Sequence, residues 1–233
     1  MGAATKKEFK MISSFFIPFD AYERNKKVAS FLKKGEGVLD VGGGITGIKL
    51  FTDNPVKTLD VVEADIMADA RRFSLPAGSW DVVTCVDVLE HIPSKDRKAF
   101  IECLYKIASK RLIIAAPNGS GLHENAEKKL LEEIRKKGKN VVFLEEHVRN
   151  GLPTPKDANP DGKGNVFYSG DFRFSNFLFR LQVYESGYVL VDKILLALKG
   201  LVNLLANLLL YPFWFYKKPS EYSNRFYVVL EKS

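Results

Sequence analysis

Leu39-Asp40-Val41-Gly42-Gly43-Gly44-Ile45-Thr46-Gly47 is the stretch that decides the fold. A short apolar run ends, three glycines follow, and apolar residues resume at helical spacing. This reads as a buried strand over 37–41, a tight turn and a short helix over 45–51. Glycines let the main chain approach a ligand closely, and the N–H groups of a helix start attract an anion. Gly42, Gly44 and Gly47 also satisfy the GxGxxG spacing of dinucleotide sites, so a nicotinamide cofactor stays open at this point.

Outward from this turn, apolar runs alternate with helical patterns. Residues 20–34 read as a helix ending in Lys33-Lys34-Gly35, with a basic last turn and a glycine stop. Strands are expected over 57–62, 80–86 and 111–116, and an amphipathic helix over 94–109. The alternation predicts an α/β fold, a doubly wound and mostly parallel sheet with helices on both faces. Ligands of such sheets bind outside the carboxyl ends of the strands, and the polar residues of interest fall at such ends. Asp60 closes the second strand about twenty residues beyond Asp40, where an acid can accept both hydroxyls of a ribose; Glu63 is a nearby alternative. Asp69, with Ala70, precedes Leu75-Pro76, and a carboxylate there can accept from an exocyclic amino group. Asp87 ends the third strand beside the cleft, whereas Asp81 at its start reads as structural.

Taken together, LDVGGG, Leu59-Asp60, Asp69, Leu75-Pro76, Ser79-Trp80-Asp81-Val82-Val83, Asp87-Val88-Leu89-Glu90-His91-Ile92-Pro93 and Pro117-Asn118 resemble the class I S-adenosylmethionine-dependent methyltransferases, notably the quinone-biosynthesis group. The resemblance covers about residues 36–120. It implies a seven-stranded sheet with an antiparallel C-terminal hairpin, and S-adenosyl-L-methionine as cofactor. It places Asp40, Gly42, Gly43 and Gly44 at the methionine end, Asp60 with Val61 at the ribose, Asp69 and Ala70 at the adenine, and Asp87 and Val88 by the amino acid moiety and the sulfonium. The stretch from Asp60 to Trp80 is shorter than the class usually has, so a helix and a strand there are abbreviated. Methyl transfer needs an aligned nucleophile and a dry site. A weakly acidic hydroxyl also wants a base, and His91 is the nearest candidate, with bracing of the loop before Pro93 as its structural alternative. His123, His147 and the run Glu146-His147-Val148-Arg149 are further candidates on the acceptor side. No metal site is expected.

The chain has 233 residues, 46% hydrophobic and 27% charged, with a formal net charge of +7. That suits one folded domain in three parts: a helical cap over 1–35, a cofactor-binding half over 36–120 and a substrate half over 121–233. The basic balance favours nucleic acid, an anionic membrane surface or an anionic substrate, although the lysines are scattered in pairs typical of solvated helix faces. Cys85 and Cys103 form no CxxC or Cys/His cluster, and the start MGAATKKEFKMISSFF lacks the apolar core of a signal peptide, so a reducing, cytoplasmic setting is expected.

In the second half, helices are expected over 124–137 and 171–185, a mobile loop or lid over 152–165, and strands over 187–194 and 225–231, which would form the C-terminal hairpin. Between those strands, 194–216 reads ILLALKGLVNLLANLLLYPFWFY. Lys199, Asn203 and Asn207 fall on one helical face, which reads as the wet one. The apolar remainder leaves three roles open: core or oligomer contact, docking on a membrane surface, or a lid for a hydrophobic substrate. The expected acceptor is a small molecule, lipid or glycan. An RNA methyltransferase, a non-catalytic methyltransferase-like partner protein and a nicotinamide dehydrogenase are the competing readings. The absence of a DPPY or NPPF-type motif argues against base methylation.

Overall fold

A computed structural model describes residues 14–45 and 47–232. Helix α1 (Phe19–Ala29) leads into β1 (Val38–Val41), a 3-10 turn (Gly47–Leu50), β2 (Val56–Asp60), β3 (Ile66–Met67) and β4 (Trp80–Val86). A 3-10 turn (Leu89–His91), α2 (Ser94–Ile107), β5 (Ala108–Pro117), α3 (Gly121–Lys136) and α4 (Val142–Asn150) follow. The chain continues through α5 (Pro155–Ala158), β6 (Asn165–Ser169), α6 (Phe172–Val183), α7 (Val189–Leu209), β7 (Phe215–Tyr216) and β8 (Arg225–Glu231).

The sheet has eight strands in the order β3-β2-β1-β4-β5-β8-β6-β7. The first five in that order run parallel, and β8, β6 and β7 add antiparallel. Strands covered on both faces are mostly apolar on both, and β1 is buried along its whole length, its one polar residue Asp40 being hydrogen-bonded. Leu39, Val41, Val83 and Cys85 pack on one side with Phe100, Ile101 and Leu104 of α2. Val38, Val82, Val86 and Tyr227 pack on the other with Val28 of α1 and Ile48. The strand order reverses between β2-β1 and β4-β5, which opens a crevice at the carboxyl ends of β1 and β4.

Three expectations are corrected. The segment 187–194 is no strand: from Val189 it belongs to α7, because its apolar residues resume after Asp192-Lys193 at helical spacing in a 21-residue helix. Strand β8 instead runs antiparallel to both β5 and β6, and β6 takes the place expected for 187–194, with Phe167 opposite Tyr227. The expected loop over 152–165 supplies the start of that strand, and its α5 is fixed by a Thr154–Asp157 capping box. Arg97 ties the stretch down further, donating to the carbonyls of Asn150 and Gly151 and pairing with Asp157 at 3.7 Å. The sheet therefore has eight strands rather than seven, β3 and β7 being two-residue additions at its edges.

The third correction concerns 194–216, which is not one helix: α7 ends at Leu209, and a 3-10 turn (Tyr211–Phe213) and β7 follow. The stripe read as wet faces the protein. Asn203 and Asn207 are 4% and 2% exposed, and their side-chain amides donate to the carbonyls of Phe16, Phe15 and Ile17. Lys199 donates to Gln182 O (2.8 Å) and Tyr184 O (2.7 Å), closing the C-terminal end of α6. Among the described residues no helix is long and apolar enough to cross a membrane.

Candidate active site

The site is built where β1, β2 and β4 end. Gly42 follows β1 with φ +80°, and its N–H donates to Leu59 O at 2.8 Å. A side chain there would strike Val88, so the turn demands glycine. Gly44 is also left-handed, faces open space, and donates its N–H to Asp60 Oδ2 at 3.0 Å. The other Asp60 oxygen accepts from Val62 N at 3.2 Å. Both carboxylate oxygens keep a lone pair for a ligand.

Asp40 has a different place from the one the resemblance implies. It is fully buried beneath the turn, accepting from Thr84 Oγ1 (2.7 Å) and Ile48 N (3.1 Å). A Cβ on Gly43 or Gly47 would collide with its carboxyl, so Asp40 and these glycines form a close-packed floor. Burial pushes the Asp40 carboxyl up to about 6 against those hydrogen bonds. Thr46 lies outside the described residues.

Val41, Gly42, Asp60, Val61, Asp69, Ala70, Asp87, Val88, His91 and Glu146 help line a cavity of about 320 Å³. Asp40, Gly43 and Gly44 do not line it, and Glu63 is exposed outside it. The Asp69 carboxylate is forked by the Arg71 guanidinium (2.7 Å from Nη2), which holds it below the usual carboxylate range. The expected shortening after Asp60 is present: only β3 interrupts the turns between β2 and β4. Asp81 is structural, accepting from Gly37 N (3.0 Å) and pairing with Lys110 (3.0 Å).

A second cavity, of about 490 Å³, adjoins the first and shares Asp87 and His91 with it. Its walls come from α1, α3, α4, α6 and the start of β8, and it holds all three histidines of the chain. His91 Nδ1 lies 2.6 Å from Glu146 Oε2, and its ring centroid is 5.1 Å from that of His147. Burial, then the neighbouring His147, lower the pKa of His91, while Glu146 opposes them. His147 Nδ1 is 3.1 Å from Glu127, and Nε2 is 4.0 Å from Glu90. His123 stacks on Phe172 at 4.7 Å with Nδ1 3.0 Å from Asn118 O. Glu90 is 1% exposed and its Oε2 has no hydrogen-bond partner. Burial, with help from Glu127, pushes its carboxyl up to about 8. Glu90, His91 and His147 bring ligand atoms within 4.8 Å of one another, the one group among the described residues with the reach to hold a metal ion.

Asp87 sits at the seam with φ +52°, a conformation that costs a non-glycine residue energy. Two guanidiniums hold it: Arg24 Nε at 3.1 Å and Arg225 Nη1. Arg225 reaches it because β8 runs antiparallel to β5, so its first residue pairs with Pro117 at the sheet's carboxyl edge. Asp20 also meets Arg24 and Arg225. Burial would raise the Asp20 carboxyl, but Arg225 and Arg24 pull it down to about 2. Asp20, Arg24, Glu127 and Arg225 were not among the residues singled out from sequence, since they come from segments far from the motif stretch.

No protein-family profile matches the chain. Over 106 residues it is 30% identical to the ubiquinone biosynthesis O-methyltransferases of Psychrobacter cryohalolentis and Psychrobacter arcticus. That covers 36% of this chain and 40% of each relative, so the match spans well under half of their length. The fold is similar to Haemonchus contortus phosphoethanolamine N-methyltransferase 2 solved with S-adenosyl-L-methionine, at TM-score 0.51 and 16% identity over 96% of this chain and 56% of that one. It is also similar to the mycolic acid cyclopropane synthase CmaA1 complexed with SAH and CTAB, at TM-score 0.50 and 14% identity over 91% and 85% of the two chains. The chain thus has the class I S-adenosylmethionine-dependent methyltransferase fold, with the antiparallel C-terminal strands of that class.

Proposed function

We propose that the protein is an S-adenosyl-L-methionine-dependent methyltransferase acting on a small-molecule, lipid or glycan acceptor. The observation that carries this reading is the pair of cavities meeting at Asp87 and His91. One has the chemistry of a nucleoside site and the other is large enough for a small organic molecule.

The residues of the smaller cavity fit the cofactor. Gly42 lets the main chain approach closely, Asp60 offers acceptors for ribose hydroxyls, and Asp69 with Ala70, which line the same cavity, are assigned to the adenine edge. When bound, the cofactor supplies a methyl group already activated on a sulfonium. The protein's part is to align the acceptor, exclude water and manage one proton. Glu146 holds the Nδ1–H of His91, leaving Nε2 as the basic nitrogen. An acceptor hydroxyl gives its proton to that Nε2 as its oxygen takes the methyl group, and the carbon–sulfur electron pair stays with sulfur. Glu90 and the Glu127–His147 pair offer acceptor and donor groups that orient polar parts of the acceptor.

The test is transfer of label from methyl-labelled S-adenosyl-L-methionine to lipid and glycan extracts. Label in a small organic product, lost in His91→Ala, supports the reading. Label in RNA alone would replace it.

A further inference from the structure

We propose that α7 docks this protein on the surface of an anionic lipid bilayer. The inference goes beyond methyl transfer and is independent of it.

An amphipathic helix in a water-exposed protein turns its apolar stripe to the core. Helix α7 does the reverse. Its polar residues Lys199, Asn203 and Asn207 face inward and spend their hydrogen bonds on backbone carbonyls of α6 and of residues 15–17. Its leucines and valines face out, with Leu190 73%, Leu196 71% and Leu209 62% exposed. At about 1.5 Å per residue, the 21 residues present a ridge about 30 Å long. Exposed apolar area of that extent marks a contact surface. The polar anchors fix the rotation of the helix, so the ridge cannot roll inward without breaking these five hydrogen bonds.

The chemistry of the occupant follows from the flanks. Residues 188–221 contain four lysines against two carboxylates, Asp192, which accepts from Ser186, and Glu221. Tyr188 and Phe213, 73% and 87% exposed, stand at the two ends of the ridge, where aromatic side chains suit a headgroup layer. Lys193, Lys217 and Lys218 are exposed and complement anionic headgroups. An apolar ridge with aromatic ends and basic flanks is the signature of a helix lying in a membrane interface. Helix α6 carries α7 through Gln182–Asn203 and Leu178–Ala206, and the same helix lines the larger cavity through Ser175, Asn176 and Phe179. Docking on α7 therefore sets the acceptor cavity one helix away from the lipid.

The test is co-sedimentation of the full chain with phosphatidylcholine vesicles, with and without phosphatidylglycerol, alongside sedimentation velocity in their absence. The variant Leu196→Glu/Leu201→Glu/Phe213→Glu removes the ridge, and Lys217→Glu/Lys218→Glu reverses the flank. The wild type pellets with the phosphatidylglycerol vesicles and less so in high salt. The ridge variant partitions at least about tenfold more weakly, the flank variant loses the preference for anionic vesicles, and both retain S-adenosyl-L-methionine binding. Wild-type protein that stays in solution with both vesicle types overturns the proposal. If it also sediments as a dimer that the ridge variant dissociates, the ridge binds a second copy instead. Because cofactor titration needs no vesicles, failure of docking leaves the methyltransferase reading standing, and the converse.

Discussion

Nδ1 of His91 lies 2.6 Å from a carboxylate oxygen of Glu146, fifty-five residues further along the chain, and this contact joins the two cavities' walls. It gives His91 a defined tautomer, with the unprotonated nitrogen opposite Glu146. The pairing of an imidazole with a carboxylate that orients it is a recurrent way to make a base.

A pH dependence follows. As the proposed base, His91 works only when neutral, and burial and His147 lower its pKa from the ordinary 6.5. Activity should therefore rise with pH along an acid limb centred below 6.5. Glu146 raises that pKa, so Glu146→Gln should move the limb to still lower pH while decreasing kcat, since the tautomer is no longer imposed. His91→Ala should lose the limb and roughly a hundredfold or more in kcat. The checks are pH–rate profiles of both variants and an NMR titration of the His91 imidazole in the wild type and Glu146→Gln. An Nδ1 partner that only braces the fold would change stability and leave the limb in place.

Glu90 gives a stability prediction of opposite sign to most carboxylates. Its folded pKa of about 8 lies above the unfolded 4.5, so folding takes up a proton. Its cost is absent at low pH, grows as pH rises from 4.5 towards 8, and then levels off. Glu90→Gln keeps the shape and removes the titration. Its Tm should fall less than that of the wild type across this window, and exceed it at the alkaline end. Parallel curves for the two proteins would contradict the assignment.

The fold of residues 36–120 was legible in the sequence for a physical reason. Gly42 and Asp87 each follow a mostly apolar run whose end is buried on both faces, so the end of the run fixes where the residue points, and Asp60 closes the shorter run Val56–Leu59 beside them. The fold beyond residue 120 was less so. Tyr188-Val189-Leu190-Val191 has strand composition, yet its apolar character runs on into a helix, and length decides. The strand that does pair with β8, Asn165–Ser169, is five residues amid glycines and carries too little pattern. Arg24, Glu127 and Arg225 meet the site only through tertiary folding, which spacing within one segment does not encode. The stripe of Lys199, Asn203 and Asn207 was found correctly as a stripe. Its direction depended on the carbonyls of residues 15–17, which no helical wheel includes.

The central claim is that the smaller cavity binds S-adenosyl-L-methionine through Asp60. Calorimetric titration of the purified chain and of Asp60→Ala with S-adenosyl-L-methionine, S-adenosylhomocysteine and NADH tests it most directly. The account predicts micromolar binding of both adenosyl ligands, none of NADH, and an affinity loss of about 1–3 kcal/mol in the variant. Binding of NADH without the adenosyl ligands would contradict it.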